Sequence, residues 1–360
     1  VLSREDAAGF NSVEVDFNDV TSHRPVRFAD HYGFFAAALG EEGVAFISKS
    51  SSKPRARESD ASGAGDGDAA DSSQLPTDAS GKVASAVFYK PLNSWAHGAE
   101  WTAQLPEGED AVCVAVGRRW VAVATSRQWV RVFRFSGLQQ AVFRAPGPAV
   151  ALVGRNGLLG AMYQETTGEG GEQLLRYQLL DLECFEALDD QVSAGSCASA
   201  RALVAEGLLR LPVGEMVEWT GFSDRSSWLY ADTAGVLSAL QAQFSWRWVP
   251  VLELRAAAQK RHWPVCVLDG KAMCAVLSGA QQFPQTTPRP VLSALPLKLP
   301  LLQTQTPSGG LQESHVRLQL ESRTAMALPR SAFDEGDEPA VKRLQFELDK
   351  TLLKLFEVYC

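Results

Sequence analysis

The sequence predicts an all-β protein built from repeated antiparallel sheets, most simply a β-propeller. The prediction depends on a block of short apolar runs between residues 111 and 163, each bounded by Gly, Pro, Ser or Asn. Because only a few residues separate the runs, no crossover helix fits between them and neighbouring strands must pair antiparallel. Their β-branched and aromatic content favours strands over helices. The predicted strands are 111–116, 120–125, 129–135, 141–144, 149–153 and 158–163.

The first 48 residues are predicted to be the first strands of this propeller. Residues 13–19 alternate apolar and polar side chains, as a half-buried strand does, and residues 32–39 and 43–48 predict a hairpin. Residues 49–81 have almost no large apolar side chain and are rich in Ser, Asp, Gly and Ala. Such a segment cannot bury enough surface to offset its ordering entropy. We therefore expect a disordered acidic insertion over residues 49–81.

Residues 82–328 are predicted to complete the propeller. Strand candidates continue as far as Pro300, and a total of roughly twenty suits five or six four-stranded blades. No Trp-Asp or Gly-His signature recurs at a fixed period, so a pair of β-sandwiches stays open as a second architecture. Residues 189–203 predict a long polar loop, whereas 309–328 fit either a short helix or an irregular return. The further predicted strands are 82–90, 100–105, 174–182, 217–222, 228–230, 236–240, 246–254, 263–268, 272–277 and 290–300.

A linker over residues 329–338 leads to a segment, residues 339–360, whose apolar side chains recur at steps of three and four. That spacing is typical of an amphipathic helix, which Asp337 can cap and Pro339 can begin. Because the chain lacks an initiator Met and ends within this apolar segment, we expect the first helix of a truncated helical bundle. The partner-binding residues are unknown, and the candidate packing face of the bundle is Leu344, Leu348, Leu352, Leu355, Phe356 and Tyr359.

The sequence contains no pattern that predicts catalysis, a cofactor or a metal site. No phosphate loop, nucleophile elbow, zinc-protease motif or dinucleotide fingerprint occurs, and the five histidines are scattered. The six cysteines include no CxxC pair, which indicates free thiols in a reducing compartment. A net charge of −8 argues against a general nucleic-acid or anionic-membrane surface, and no apolar run approaches the ~20 residues of a membrane span. We expect a non-enzymatic intracellular protein.

Several longer segments, found in order between residues 93 and 301, resemble the central domain of a known replisome adaptor family. The family is called chromosome transmission fidelity protein four, minichromosome loss protein, or acidic nucleoplasmic WD-repeat and HMG-box DNA-binding protein. The likeness extends more weakly to residues 13–48 and to the terminal helix. The segments are GRRWVAVATS, VRVFRFSGLQQAVFRAPGPAVALVG, WTGFSDRSSWLYADTAGVLSAL, WRWVPVLEL, HWPVCVLDG and TTPRPVLSALPLKLPL.

The resemblance implies a six-bladed propeller followed by a helical bundle, assembled as a homotrimer through the propellers. It implies a nuclear adaptor at replication forks, with a role in sister chromatid cohesion and with indirect contact to chromatin. The implied partners are the GINS subunits of the CMG replicative helicase, the catalytic subunit of DNA polymerase alpha–primase, and other replisome proteins that dock short peptides. The family's peptide-docking residues lie mainly on later helices, so none is assigned to this chain.

Two other functions stay open at this point. A monomeric propeller could bind an extended peptide in its central mouth, and it would then stay monomeric and retain binding without the helix after Asp337. That the chain is an enzyme is the less favoured hypothesis, because a hydrolytic propeller needs converging carboxylates, histidines or a metal at its channel.

Overall fold

The computed structural model describes residues 2–5, 11–17, 25–51, 83–92, 100–167, 173–183, 202–255, 261–278, 281–285, 289–302, 305–333 and 338–359. They form antiparallel sheets followed by two helices, in two compact units, Val1–Ala145 and Pro146–Cys360. No helix among these residues is long and apolar enough to cross a membrane. Most of the predicted insertion, residues 52–81, lies outside the described residues.

The first unit contains three sheets, each with its strands in chain order. Every described pairing in them is antiparallel. The first sheet has β1 (Leu2–Glu5), β2 (Asn11–Val15) and β3 (Val26–Ala29). The second has β4 (Phe34–Leu39), β5 (Gly43–Ser48), β6 (Ala86–Pro91) and β7 (Trp101–Gln104), and the third has β8 (Ala111–Val116), β9 (Trp120–Thr125), β10 (Trp129–Arg134) and β11 (Gln139–Arg144).

The second unit contains three more sheets of the same order and then two helices. The fourth sheet has β12 (Ala149–Arg155), β13 (Leu158–Thr167), β14 (Gln173–Asp181) and β15 (Leu203–Arg210). The fifth has β16 (Val217–Phe222), β17 (Trp228–Asp232), β18 (Val236–Gln241) and β19 (Arg247–Glu253), and the sixth has β20 (Arg261–Leu268), β21 (Lys271–Leu277) and β22 (Leu292–Pro296). The helices are α1 (Pro307–Ala327) and α2 (Glu338–Tyr359).

Within each unit, successive sheets pack face to face, as the blades of a propeller do. The apolar clusters lie between sheets one and two, two and three, four and five, and five and six. The first strands of successive sheets also touch, β4 against β8, and β12 against β16 against β20. The blade architecture and the C-terminal helix are therefore confirmed. The first and sixth sheets have only three strands among the described residues, so the count of six blades stays a prediction.

Aromatic side chains fill the spaces between the sheets of each unit. In the first unit the Tyr89 ring stacks on Phe135 with 4.5 Å between centroids. Tyr89 lies so close to Gly43 that a Cβ there would be 2.2 Å from its hydroxyl, so this strand position requires glycine. In the second unit the buried Trp228 indole contacts Trp248 edge-to-face and donates a hydrogen bond to Thr220 Oγ1 at 2.8 Å. These contacts explain why many of the tryptophans occur in or beside strands.

The structure adds elements that the sequence pattern did not predict. The strands β1, β3 and β15 were not predicted, and β15 begins at Leu203, where the predicted loop ends. β15 contains Gly207 and an exposed Glu206, and among the described strands it pairs with β14 alone, so its apolar alternation is weak. Residues 309–328, for which a helix and an irregular return were both open, form a helix. Its start is stabilised because Thr306 Oγ1 accepts a hydrogen bond from Gly309 N at 3.1 Å and Pro307 begins the first turn. The predicted domain boundary at residue 328 thus follows this helix.

A buried ion pair in the first unit generates a stability prediction. Arg131 donates to both oxygens of Glu109 at 2.8 and 2.7 Å, and the Glu109 side chain is 2% exposed. We expect Arg131→Ala to lower the free energy of unfolding by about 3 kcal/mol, because it leaves the Glu109 carboxylate buried without its partner. The matched control is Arg27→Ala, which breaks an ion pair to Glu14 whose arginine is 71% exposed and should cost less than about 1 kcal/mol.

The same pair predicts a pH dependence. The hydrogen bonds from Arg131 lower the pKa of Glu109 in the folded protein. The stabilisation of the fold by this ion pair is therefore fully present above the unfolded-state pKa of glutamate, about 4.3. It is lost as the pH falls through the folded-state pKa of Glu109. Urea unfolding between about pH 7 and about pH 3.5 should show the difference between wild type and Arg131→Ala narrowing toward acid. A difference that stays constant over that range would contradict this account.

Candidate interaction surface on the C-terminal helices

Helix α1 is anchored to the fifth and sixth sheets by polar bonds and by an apolar contact. The Thr324 hydroxyl donates to Gln241 Oε1 at 2.7 Å and accepts from the Ala242 N–H at 3.2 Å. Glu313 accepts from the Leu299 N–H at 2.9 Å. Leu320 lies in the apolar cluster between these two sheets. The helix is thus part of the second unit's core and not a flexible appendage.

The segment after α1 is held by the turns of the fourth and fifth sheets. The Ala332 carbonyl accepts from Asn156 Nδ2 at 2.9 Å and from the Ser226 hydroxyl. The Ser331 carbonyl accepts from the Gly157 N–H at 2.8 Å. A Cβ on Gly157 would be 2.6 Å from the Ser331 Cβ, so the approach requires glycine. These bonds determine where the chain turns toward α2.

Helix α2 packs on α1 along part of its predicted apolar face. Leu344 is buried and Leu348 and Leu355 are half-buried. Between the helices His315 Nδ1 lies 3.2 Å from the Thr351 hydroxyl. The stripe of leucines at steps of four and seven is therefore the inner face of α2. Whether any of these positions binds a partner stays a prediction.

The remainder of the predicted face lies on an adjacent flank of α2 that is open to solvent. Leu352 is 40% exposed and Phe356 57% exposed, and Leu353 and Phe346 on the same flank are 65% and 68% exposed. The side chain of Tyr359 lies outside the described set. Contiguous exposed apolar side chains on a helix are typical of an interaction surface. We call Phe346, Leu352, Leu353 and Phe356 the apolar flank.

A chain of ion pairs connects α1 and α2 to a turn of the fifth sheet. Arg225, in the turn between β16 and β17, donates to Glu321 of α1 at 2.6 Å and lies 3.9 Å from Glu347 of α2. Arg317 lies 3.3 Å from Glu321 and 3.5 Å from Glu313 on the same helix. Sequence reasoning missed this network. The one available signal was the spacing of four residues between Glu313, Arg317 and Glu321.

Metal-ligand clusters and reactive thiols are the two kinds of chemical site relevant to the described residues. No group of three or more His, Cys, Asp or Glu side chains in this part of the chain is placed to hold a metal ion. Cys113, Cys266 and Cys274 are free thiols, and burial raises the pKa of Cys113 and of Cys274 to about 11. A protonated thiol is a poor nucleophile.

Comparison with known proteins assigns the chain to one family, and its relatives match over nearly the whole chain. Residues 1–301 match the family described as minichromosome loss protein, Mcl1, middle region. The chain is 27% identical to the protein ENHANCER OF LHP1 1 of Arabidopsis thaliana, over 98% of this chain and 33% of that protein. It is 27% identical to minichromosome loss protein 1 of Schizosaccharomyces pombe, over 98% of this chain and 40% of that protein. It is 25% identical to WD repeat and HMG-box DNA-binding protein 1 of Xenopus laevis, over 97% of this chain and 28% of that protein.

The anchoring of α1 generates a second prediction. Thr324→Val keeps the side-chain shape but leaves the buried Gln241 Oε1 and the Ala242 N–H without these partners. We expect a loss of about 1–3 kcal/mol in the free energy of unfolding, together with faster amide exchange in α1. The control is Thr102→Val, an exposed threonine on β7, which should be nearly neutral. Equal effects of the two variants in urea unfolding and hydrogen exchange would contradict the anchoring role.

Proposed function

Because the chain belongs to the minichromosome loss protein Mcl1 middle-region family, we propose that it is the central scaffold of a non-catalytic replisome adaptor. In this proposal a six-bladed propeller assembles as a homotrimer and couples the GINS subunits of the CMG helicase to DNA polymerase alpha–primase. The observation that carries the proposal is the family match over residues 1–301, which spans the propeller strands.

The names of two relatives refer to chromosomes and to DNA, which fits the proposed role in replication. One is called minichromosome loss protein 1 and another WD repeat and HMG-box DNA-binding protein 1. The chain spans between 28% and 40% of the length of the relatives described above. The activity of the whole protein, its nuclear location at replication forks, its contact with chromatin and its role in sister chromatid cohesion are therefore part of the proposal.

The apolar flank of α2 supports a partner-binding role for the C-terminal helices. Four large apolar side chains, Phe346, Leu352, Leu353 and Phe356, are 40–68% exposed near the end of the chain. Further helices of a bundle, or a short helical peptide, would remove that surface from water. We propose that α1 and α2 are the base on which such a bundle is built, and that the bundle receives peptides from replisome partners.

Trimerisation would explain physically how such an adaptor holds its partners. Three equivalent weak sites on one particle raise the effective concentration of each client, so the assembly holds several partners without a tight individual contact. A closed ring of three needs two different surface patches on each copy. The exposed apolar residues of the sheet margins, such as Leu138 and Leu208, are available for such contacts.

Solution mass is the first test of this proposal. Light scattering on the 360-residue chain should give the mass of three copies. Substitutions in the apolar flank should leave that mass unchanged. A mass of one copy would contradict the trimeric scaffold and would favour the alternative function, a monomeric peptide-binding propeller.

Partner binding is tested separately on the full-length protein. We expect Leu353→Asp combined with Phe356→Asp to weaken capture of purified GINS and of the polymerase alpha catalytic subunit by about tenfold, since buried aromatic anchors dominate binding energy. The control is Val213→Asp, in the turn after β15, because Val213 is as exposed as Leu353. Unchanged capture by the helix variant would contradict a role of α2 in partner binding.

A further inference from the structure

A cleft of about 450 Å³ opens between α2, α1 and the sixth sheet. One wall is α2, with Lys350, Thr351 and Lys354. The opposite wall is the turn between β20 and β21, where Lys271 follows Gly270. Between the walls lie Pro296 at the end of β22, Leu297 directly after it, and Leu318 of α1. The cleft belongs to the second unit alone and is separate from the apolar flank.

Five cationic and two anionic side chains line this cleft, in a protein whose net charge is −8. The two arginines, Arg225 and Arg317, are already neutralised by Glu321 and Glu313 beneath them. Of the two acids, Glu347 is directed to Arg225, which leaves Asp269 at the rim. Lys271, Lys350 and Lys354 are exposed and have no ion-pair partner within the described part of the chain.

Three exposed lysines meet at the cleft from two different elements. Lys350 and Lys354 are four residues apart on one helix, a spacing at which like charges repel. Lys271 adds a third cation from the opposite wall. Glu347 and Glu357 each lie three residues from one of the two helix lysines, so the helix itself balances part of this charge. What the cleft offers is three exposed ammonium groups from two elements that can pair with an anion.

We propose that this cleft binds an acidic peptide segment of a partner protein. Lys350 and Lys354 are separated by about 6 Å along the helix axis, at 1.5 Å per residue. In an extended peptide, side chains two residues apart lie on the same side and about 7 Å apart. A segment with acidic residues at alternate positions therefore matches the two lysines, and a further carboxylate reaches Lys271.

The size and the charge of the cleft favour a peptide over a nucleic acid. Nucleic-acid binding depends on many cations spread along a backbone and on a basic surface overall. The cleft instead offers three unpaired lysines beside the apolar side chains between its walls, which suits a few residues of peptide with one apolar side chain between the acidic ones. This inference depends on the charges and geometry of α2 and the β20–β21 turn, and not on the proposed trimer or its clients.

The test is fluorescence anisotropy with a fluorescein-labelled peptide of alternating Asp and Leu, and with the same peptide carrying Asn in place of Asp. We expect the 360-residue chain to bind the acidic peptide and not the Asn peptide, with weaker binding as NaCl rises from about 50 to about 300 mM. The triple variant K271E, K350E and K354E should weaken binding by at least about tenfold. The triple variant K298E, R323E and R330E is the matched control, since it reverses three exposed cations outside the cleft and should change binding by less than about twofold.

Three results would overturn the proposal. The first is equal binding of the Asp and Asn peptides by the unmodified chain. The second is an equal loss of binding in the two triple variants, which would show a general charge effect. The third is tighter binding of a single-stranded oligonucleotide than of the acidic peptide, lost in the cleft variant alone, which would assign the lysines to nucleic acid. Circular dichroism and solution mass of both variants verify that the fold and the assembly are retained.

Discussion

The structure depends on one packing constraint, which is that a middle blade must bury both of its faces against neighbouring blades. Every residue of β5 and of β17, which lie in the middle sheets of the two units, is buried, so both faces of these strands are covered. The outer strands β7, β11 and β15 combine buried or half-buried residues with exposed ones, because they lie at the sheet margins. Short strands, tight turns and aromatic fillers such as Trp228 all follow from sheets that stand face to face.

The second unit extends this packing from sheets to helices. Leu320 of α1 joins the same apolar cluster as Leu237 and Val267, so the helix closes the space between two sheets. This burial would leave polar groups without hydrogen-bond partners, and Thr324, Asn156 and Glu313 supply those partners. The position of α2, and with it every surface proposed to bind partners, is set by these bonds and by its contact with α1.

The charges are distributed in two different ways. Arg131 with Glu109, and Arg317 with Glu313 and Glu321, are partly or wholly buried pairs that the fold itself completes. Lys271, Lys350 and Lys354 line a cleft, are exposed, and form no ion pair within the described residues. The contrast matters because it separates charges that hold the molecule together from charges available to a partner. The apolar flank makes a similar contrast with the buried Leu344.

By itself, the sequence determined most of the elements of the fold. Residues 43–48, 111–116, 120–125 and 217–222 are strands with the predicted bounds, because apolar runs between turn residues are a local signal. The terminal helix was equally readable from its spacing of three and four. The edge strand β15 and the helix α1 were not, because Gly207 and the pair Gly309–Gly310 weaken the local pattern.

Only the tertiary structure decided which apolar residues of α2 are inside and which are outside. Leu344 and Leu352 look alike in the sequence, but one lies against α1 and the other faces solvent. The same is true of the cations, since Arg225, Lys271 and Lys350 are far apart in the chain and meet at one cleft. The physical reason is that the periodicity of apolar residues identifies the helix or strand to which a residue belongs. Burial and ion pairing depend instead on which side chains of a neighbouring element lie against it.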